Sequence, residues 1–182
     1  MDVLVVRHAI ALDKHALDKD EANELGVPDA ERPLTKGGRR RMKGVARGLA
    51  RSVPNLSVLF SSPWRRAVET ADLLRARCKG LGLEVQGNVE SDALLPDAEP
   101  EALAECLAGI PVNASVAVVG HEPHLSSWVS WCLTGGRSPS IEPRPILQLR
   151  KAGACLLRFE DAVGPSRGKL LWLMPPAVLR QL

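Results

Sequence analysis

The chain has 182 residues, 45% hydrophobic and 25% charged. That balance builds a packed globule, excludes general disorder and suits one domain. Aromatics are 3% with no tyrosine, so tyrosine chemistry is excluded. The formal net charge of +3 suits an anionic substrate without indicating nucleic acid.

No apolar run approaches the roughly 18 residues that span a bilayer. The N-terminal MDVLVVRH lacks the basic and apolar stretches of a secretory leader. Cys78, Cys106, Cys132 and Cys155 form no CxxC pair and read as reduced thiols. A cytoplasmic protein without membrane contact is the expectation.

In chain order, DVLVV (2–6) reads as a buried strand ending at Arg7-His8. Residues 11–31 are charged and irregular, an excursion over the surface. Thr35 is placed to cap a helix from Lys36 to Ser52. Met42, Val45, Ala46 and Leu49 share its apolar face. Lys36, Arg40, Lys43, Arg47 and Arg51 fall opposite, as on a solvated face; the rival is a nucleic-acid patch.

LSVLF (56–60) is the second strand. Ser62 as cap and Pro63 at the first helical position predict a helix to Cys78. LEVQ (83–86) reads as a short strand, Pro100–Ala108 as a helix and SVAVV (115–119) as a strand ending at Gly120-His121. Pro123 opens a further helix to Leu133. ACLLRF (154–159) and KLLWLM (169–174) suit an edge hairpin or a pair beside the sheet. Strands alternating with helices predict a single three-layer α/β domain over 1–182, with a mostly parallel sheet and helices on both faces.

Three strand-to-helix junctions carry Arg or His: Arg7-His8, Ser62-Pro63-Trp64-Arg65-Arg66 and Gly120-His121. Loops after parallel strands converge at one sheet edge, so two histidines and at least two arginines can surround one pocket. Guanidinium groups bind phosphate oxygens bidentately, which makes a phosphoryl group the expected ligand. Neighbouring positive charge keeps imidazole neutral, with its lone pair. Such a base can attack clamped phosphorus in line, giving a phosphohistidine that water hydrolyses. The arginines supply the positive charge, so no metal or cofactor is expected.

These stretches resemble the histidine phosphatase superfamily. VVRHAIA (5–11) is similar to its Arg-His-Gly signature, with Ala9 for Gly. ERPLTKGGRRRM (31–42) resembles the RPLT-x-x-G segment of the small bacterial branch. SSPWRRAVETA (61–71) matches S-P-x-x-R-A-x-x-T-A, and VVGHEPHLS (118–126) the second-histidine segment. Without a large inserted cap, the chain looks most like the SixA-type phosphohistidine phosphatases, which implies a phosphoglycerate mutase-like fold.

The resemblance implies His8 as nucleophile, Arg7 and Arg66 as phosphate clamps, and His121 as hydrogen-bond donor to the phosphoryl oxygens. Arg65 is not a clamp. Arg32 and Thr35 match the branch pattern; Arg32 either lines the pocket and binds substrate or anchors the 11–31 excursion. Asp97 and Glu122 are candidates for a general acid, with solvent as the alternative. The implied substrate is phosphohistidine on a histidine phosphotransfer domain. The rivals are a small phosphomonoester, such as a sugar phosphate or nucleotide, and a non-catalytic phosphate-binding module. A monomer is expected.

Other features read as structural. Pro123 breaks any helix through His121 and His124, which argues against zinc. His15 and His124 read as surface or loop histidines. GPSRGKL (164–170) has one residue too few for a phosphate-binding P-loop and Leu170 where Ser or Thr is required, so it reads as a hairpin turn. Trp128 and Trp131 read as packing residues.

Overall fold

The computed structural model describes residues 1–12, 27–53, 55–83, 85–135 and 145–182. Six strands form one sheet: β1 (Asp2–Arg7), β2 (Leu56–Ser61), β3 (Gln86–Glu90), β4 (Ser115–Gly120), β5 (Ala154–Arg158) and β6 (Lys169–Met174). Their order is β3-β2-β4-β1-β5-β6. The first four run parallel, and β5 and β6 are antiparallel to their neighbours. The predicted hairpin is therefore formed at one edge, and the sheet is mixed.

Side chains alternate along β1. Leu4 and Val6 pack with Met42, Val45 and Leu49 of α1 (Lys36–Ser52), Ala67, Ala71 and Leu74 of α2 (Arg65–Lys79), and Leu179 of α5 (Pro176–Leu179). Val3 and Val5 pack on the other face with Leu103 and Leu107 of α3 (Pro100–Leu107) and Leu125, Trp128 and Val129 of α4 (His124–Thr134). Period-two alternation between two apolar layers is what a strand buried on both sides requires. The three-layer expectation follows directly from it.

Two predicted elements move. The third strand is Gln86–Glu90, not 83–86. It lies at the sheet edge with Val89 exposed, so burial imposed no apolar pattern on the sequence. The second helix begins at Arg65 with Trp64 at the cap, two residues later than expected. Ser62 Oγ instead accepts the Trp64 backbone N–H at 3.3 Å and bonds His121. Among the described residues, no helix is long and apolar enough to cross a membrane.

α1 begins as predicted, with Thr35 Oγ1 accepting the Gly38 N–H at 2.8 Å. Its first turn presses against the exit of β1. A Cβ on Gly38 would stand 2.2 Å from the Ile10 carbonyl oxygen, so glycine is required there by close approach. The Thr35 N–H donates to Ile10 O, Leu12 N–H donates to Pro33 O, and Ala11 bridges Leu34. The RPLT-x-x-G pattern is thus a clasp on the chain just beyond His8. The exposed basic face of α1 is as expected.

The segment after β5 is no phosphate loop. The N–H groups of Ser166 and Gly168 donate to Trp131 O and Cys132 O, completing the C-terminus of α4. Trp128 is buried against Phe159 and Trp131 packs on the same core. All four cysteines are free thiols. His124 corrects its surface assignment: as the first residue of α4 it is 3% exposed, and neither ring nitrogen has a partner among the described residues. His15 lies outside the described residues.

Candidate active site

β1, β2 and β4 are adjacent and parallel, so their C-terminal ends deliver Arg7-His8, Ser61-Ser62 and Gly120-His121 to one edge. Parallel sheets with this wiring bind ligands there. The His8 N–H donates to Gly120 O and the Ser62 N–H to Val119 O. These bonds carry the ladder one residue past each strand and fix where the side chains leave it.

His8 is 7% exposed. Its Nδ1 lies 2.7 Å from the Ala9 carbonyl. A carbonyl only accepts, so Nδ1 carries the proton and Nε2 keeps the lone pair. Arg66 Nε donates to that Nε2 at 3.3 Å. The His8 pKa falls to about 3, chiefly by burial and further by the charges of Arg66, Arg7 and Lys151, against the Ala9 hydrogen bond. At neutral pH the ring is an uncharged base.

Ala9 takes the place of the signature glycine without strain. Among the described non-glycine residues only Ala152 and Ser166 have positive φ, so Ala9 stands in a region open to L-residues. Its N–H donates to Thr70 Oγ1 at 3.0 Å, and that hydroxyl donates to Arg66 O at 2.6 Å. Thr70 therefore ties the His8 turn to the helix that carries Arg66.

His121 is 1% exposed, and its ring lies 5.0 Å from that of His8, centroid to centroid. Its Nε2 is 2.9 Å from Ser62 Oγ. Burial, followed by the proximity of His8 and Arg66, lowers its pKa to about 2. Trp64 packs against His121 at 4.9 Å, and the Arg66 guanidinium sits 4.5 Å from the centre of the Trp64 ring. The aromatic ring thus touches both an imidazole and a cation.

Arg7 Nη1 donates to Leu149 O at 2.7 Å, while its buried Nε has no partner among the described residues. The Leu149 N–H donates in turn to Glu122 Oε1 at 3.2 Å, which also accepts from Ser126 Oγ at 2.6 Å. Glu122 is thus engaged in holding the strap that grips Arg7. Ala152, at φ 62°, donates its N–H to Arg7 O and His8 O. Asp97 is exposed, makes no hydrogen bond to His8, Arg7, Arg66 or His121, and acts electrostatically on His124. Neither acid candidate is bonded to the cluster's reactive nitrogen.

The four principal site residues expected from the sequence therefore stand together. Arg65 points away, paired with Glu69 at 3.1 Å. Arg32 bonds residues on either side of 13–26, which lie outside the described residues: Nη1 donates to Leu12 O at 2.7 Å and Nε to Asp29 Oδ1 at 2.6 Å. Sequence reasoning missed Asp29, Trp64, Ser62 and Thr70. Asp29 accepts from Arg66 twice, from Nη1 through its backbone oxygen at 2.5 Å and from Nη2 through Oδ2 at 3.1 Å. The available signal was an acid three residues before the arginine of RPLT. Trp64, Ser62 and Thr70 lay inside a recognised motif whose other positions drew the attention.

Residues 3–90 match the family model described as the histidine phosphatase superfamily, branch 1. An uncharacterised protein of Picosynechococcus sp. is 29% identical over 183 residues, covering 96% of this chain and 100% of that protein. The protein histidine phosphatase SixA complexed with tungstate superposes with a TM-score of 0.73 at 21% identity, covering 98% of this chain and 99% of that one. A mycobacterial glucosyl-3-phosphoglycerate phosphatase in complex with VO3 gives 0.65 at 16% identity, with 96% and 99% covered. The shared architecture is the phosphoglycerate mutase-like α/β fold.

Proposed function

We propose that the chain is a member of the histidine phosphatase superfamily, whose family model matches residues 3–90, and that it removes phosphate from phosphohistidine on a protein partner through a covalent phosphohistidine on His8. The carrying observation is the state of His8: its Nδ1–H is committed to Ala9 O, and Nε2 faces Arg66 inside a buried cationic cluster. A neutral imidazole so held is a nucleophile with one available nitrogen.

When the phosphoryl group enters, a phosphoryl oxygen replaces His8 Nε2 as the acceptor of the Arg66 Nε–H. Arg7 Nε, a buried donor with no partner among the described residues, takes another. The His8 Nε2 lone pair forms a bond to phosphorus as the P–N bond to the substrate imidazole breaks. The departing nitrogen keeps that electron pair and takes a proton from solvent. Nδ1–H stays on Ala9 O, which stabilises the imidazolium character of phosphorylated His8. Water then attacks phosphorus, the His8–P bond breaks, its electron pair returns to Nε2, and the water's surplus proton leaves to solvent. Arg7, Arg66 and His121 stabilise the charge on the equatorial oxygens in both steps.

Glu122 is engaged with Leu149 and Ser126, and Asp97 lies on the His124 side. This suits a phosphoramidate, whose imidazole leaves more readily than an alkoxide. The test sets a phosphohistidine peptide against sugar phosphates and nucleotides, side by side with EDTA present. Faster turnover of the peptide supports the reading. Much faster turnover of an alkyl phosphomonoester transfers the function to a small-molecule phosphatase, and anion binding without turnover reduces it to a binding module.

A further inference from the structure

We infer that Asp29 is a positioning residue that aims the Arg66 guanidinium, and that Arg32 serves the site only by holding Asp29. The inference rests on the reading of this cluster as a phosphoryl-transfer centre. A guanidinium has five N–H donors in one plane, so acceptors on two of its nitrogens fix rotation within that plane. Asp29 supplies both acceptors: its carbonyl at 2.5 Å from Nη1 and its Oδ2 at 3.1 Å from Nη2. The Trp64 ring, 4.5 Å from the guanidinium carbon, fixes the tilt. What stays directed at the nucleophile is the Nε edge, 3.3 Å from His8 Nε2.

Asp29 is itself held. Its Oδ1 accepts from Arg32 Nε at 2.6 Å and lies 2.5 Å from Arg32 Nη2. Arg32 is fixed at its far end by Leu12 O at 2.7 Å. Among the described contacts, Oδ1 serves Arg32 and Oδ2 serves Arg66. The chain of contacts runs from the Leu12 backbone through Arg32 and Asp29 to Arg66, and ends on His8. The short 3-10 turn Asp29–Glu31 presents the carbonyl and the carboxylate of one residue to the same cation.

The sign of one measurement separates aiming from mere charge balance. A carboxylate beside an anion site repels the anion. If Asp29 only balanced charge, removing it would tighten binding of an oxyanion. If it aims Arg66, removing it weakens binding, because the clamp is lost from register.

The experiment measures tungstate affinity by calorimetry and turnover of a phosphohistidine peptide for wild type, Asp29→Asn, Asp29→Ala, Arg32→Ala and Arg66→Ala, with the double variants. The near-isosteric Asp29→Asn guards against a folding defect, and thermal melts accompany every variant. Asp29→Asn is expected to weaken tungstate roughly tenfold and lower kcat about ten- to a hundredfold. Arg32→Ala acts in the same direction and adds nothing to Asp29→Asn. In the Arg66→Ala background either Asp29 substitution changes tungstate affinity less than about twofold, a non-additivity expected of residues acting through one another.

Unchanged or tightened tungstate binding, or a full additional loss on top of Arg66→Ala, overturns the inference. Asp29-dependent tungstate binding without turnover of any phosphorylated substrate sinks the functional reading and spares the positioning role. Normal turnover by Asp29→Asn does the reverse. A wild type that binds no tungstate overturns both.

Discussion

Acid should unfold this protein in a window set by three buried histidines. His8, His121 and His124 are 7%, 1% and 3% exposed, and their pKa values fall to about 3, 2 and 4, in each case chiefly through burial. In the unfolded chain each returns to about 6.5. The folded value is the lower one, so the unfolded chain binds protons that the folded chain refuses. Stability is therefore full above pH 6.5 and is lost as pH falls toward the folded values. At pH 5 each ring is 1.5 pH units below its unfolded pKa. At about 1.4 kcal/mol per unit the loss is about 2 kcal/mol per histidine and about 6 kcal/mol for three.

That is comparable with the whole stability of a typical domain, about 5–15 kcal/mol. The assay is denaturant unfolding followed by tryptophan fluorescence at pH 7.5, 6.5, 5.5 and 5. The buffer must lack phosphate, since an anion bound to the native state would raise its stability. The described native carboxylates with lowered pKa, Asp2, Asp29 and Glu160, take up protons below this window, so the slope reports imidazoles. His124→Leu, away from the reactive nitrogen, should remove about one third of the slope. A free energy of unfolding that stays flat from pH 7.5 to 5 would refute the burial of neutral rings.

Three further outcomes follow from named contacts. His8→Ala should abolish turnover by three orders of magnitude or more while tungstate still binds, measured by steady-state kinetics and calorimetry; retained turnover removes the nucleophile. Arg66→Ala should lower kcat/KM at least a hundredfold, whereas exposed Arg65→Ala, whose partner is Glu69, should leave it within about twofold. Equal losses would mean the wrong arginine was assigned. Gly38→Ala drives a methyl to 2.2 Å from Ile10 O, and overpacking of that kind costs about 1–3 kcal/mol. Calorimetric melting should show a drop of roughly 2–12 °C, and an unchanged Tm would contradict the close approach.

The central strands and the reactive junctions were legible because both are written locally. A run such as DVLVV, apolar to its end and then broken by Arg7-His8, records burial and its abrupt stop in adjacent letters. Thr35 with Gly38 likewise carries its cap, and Ser62 through Ala71 the spacing of its motif, in short windows. β3 was misplaced by three residues because a half-exposed edge strand has no need of apolar alternation. The start of α2 was misread because Pro63 permits a helix, whereas Ser62 Oγ is engaged by the Trp64 N–H and His121 rather than capping a helix that starts at Pro63. His124 looked like a surface residue because burial of its ring depends on how α4 seats, not on its neighbours in sequence. Asp29 stayed invisible for a similar reason: its partner Arg66 is 37 residues away, and only folding brings the two together.

Trapping the reaction intermediate bears most directly on the chemistry assigned to this chain. The protein is mixed with a phosphohistidine peptide carrying labelled phosphorus, quenched in alkali within milliseconds, digested and mapped by mass spectrometry. The account predicts a base-stable, acid-labile label on His8, absent from His8→Ala. Label on another residue, or turnover through no labelled protein species with phosphate released directly to water, would contradict it.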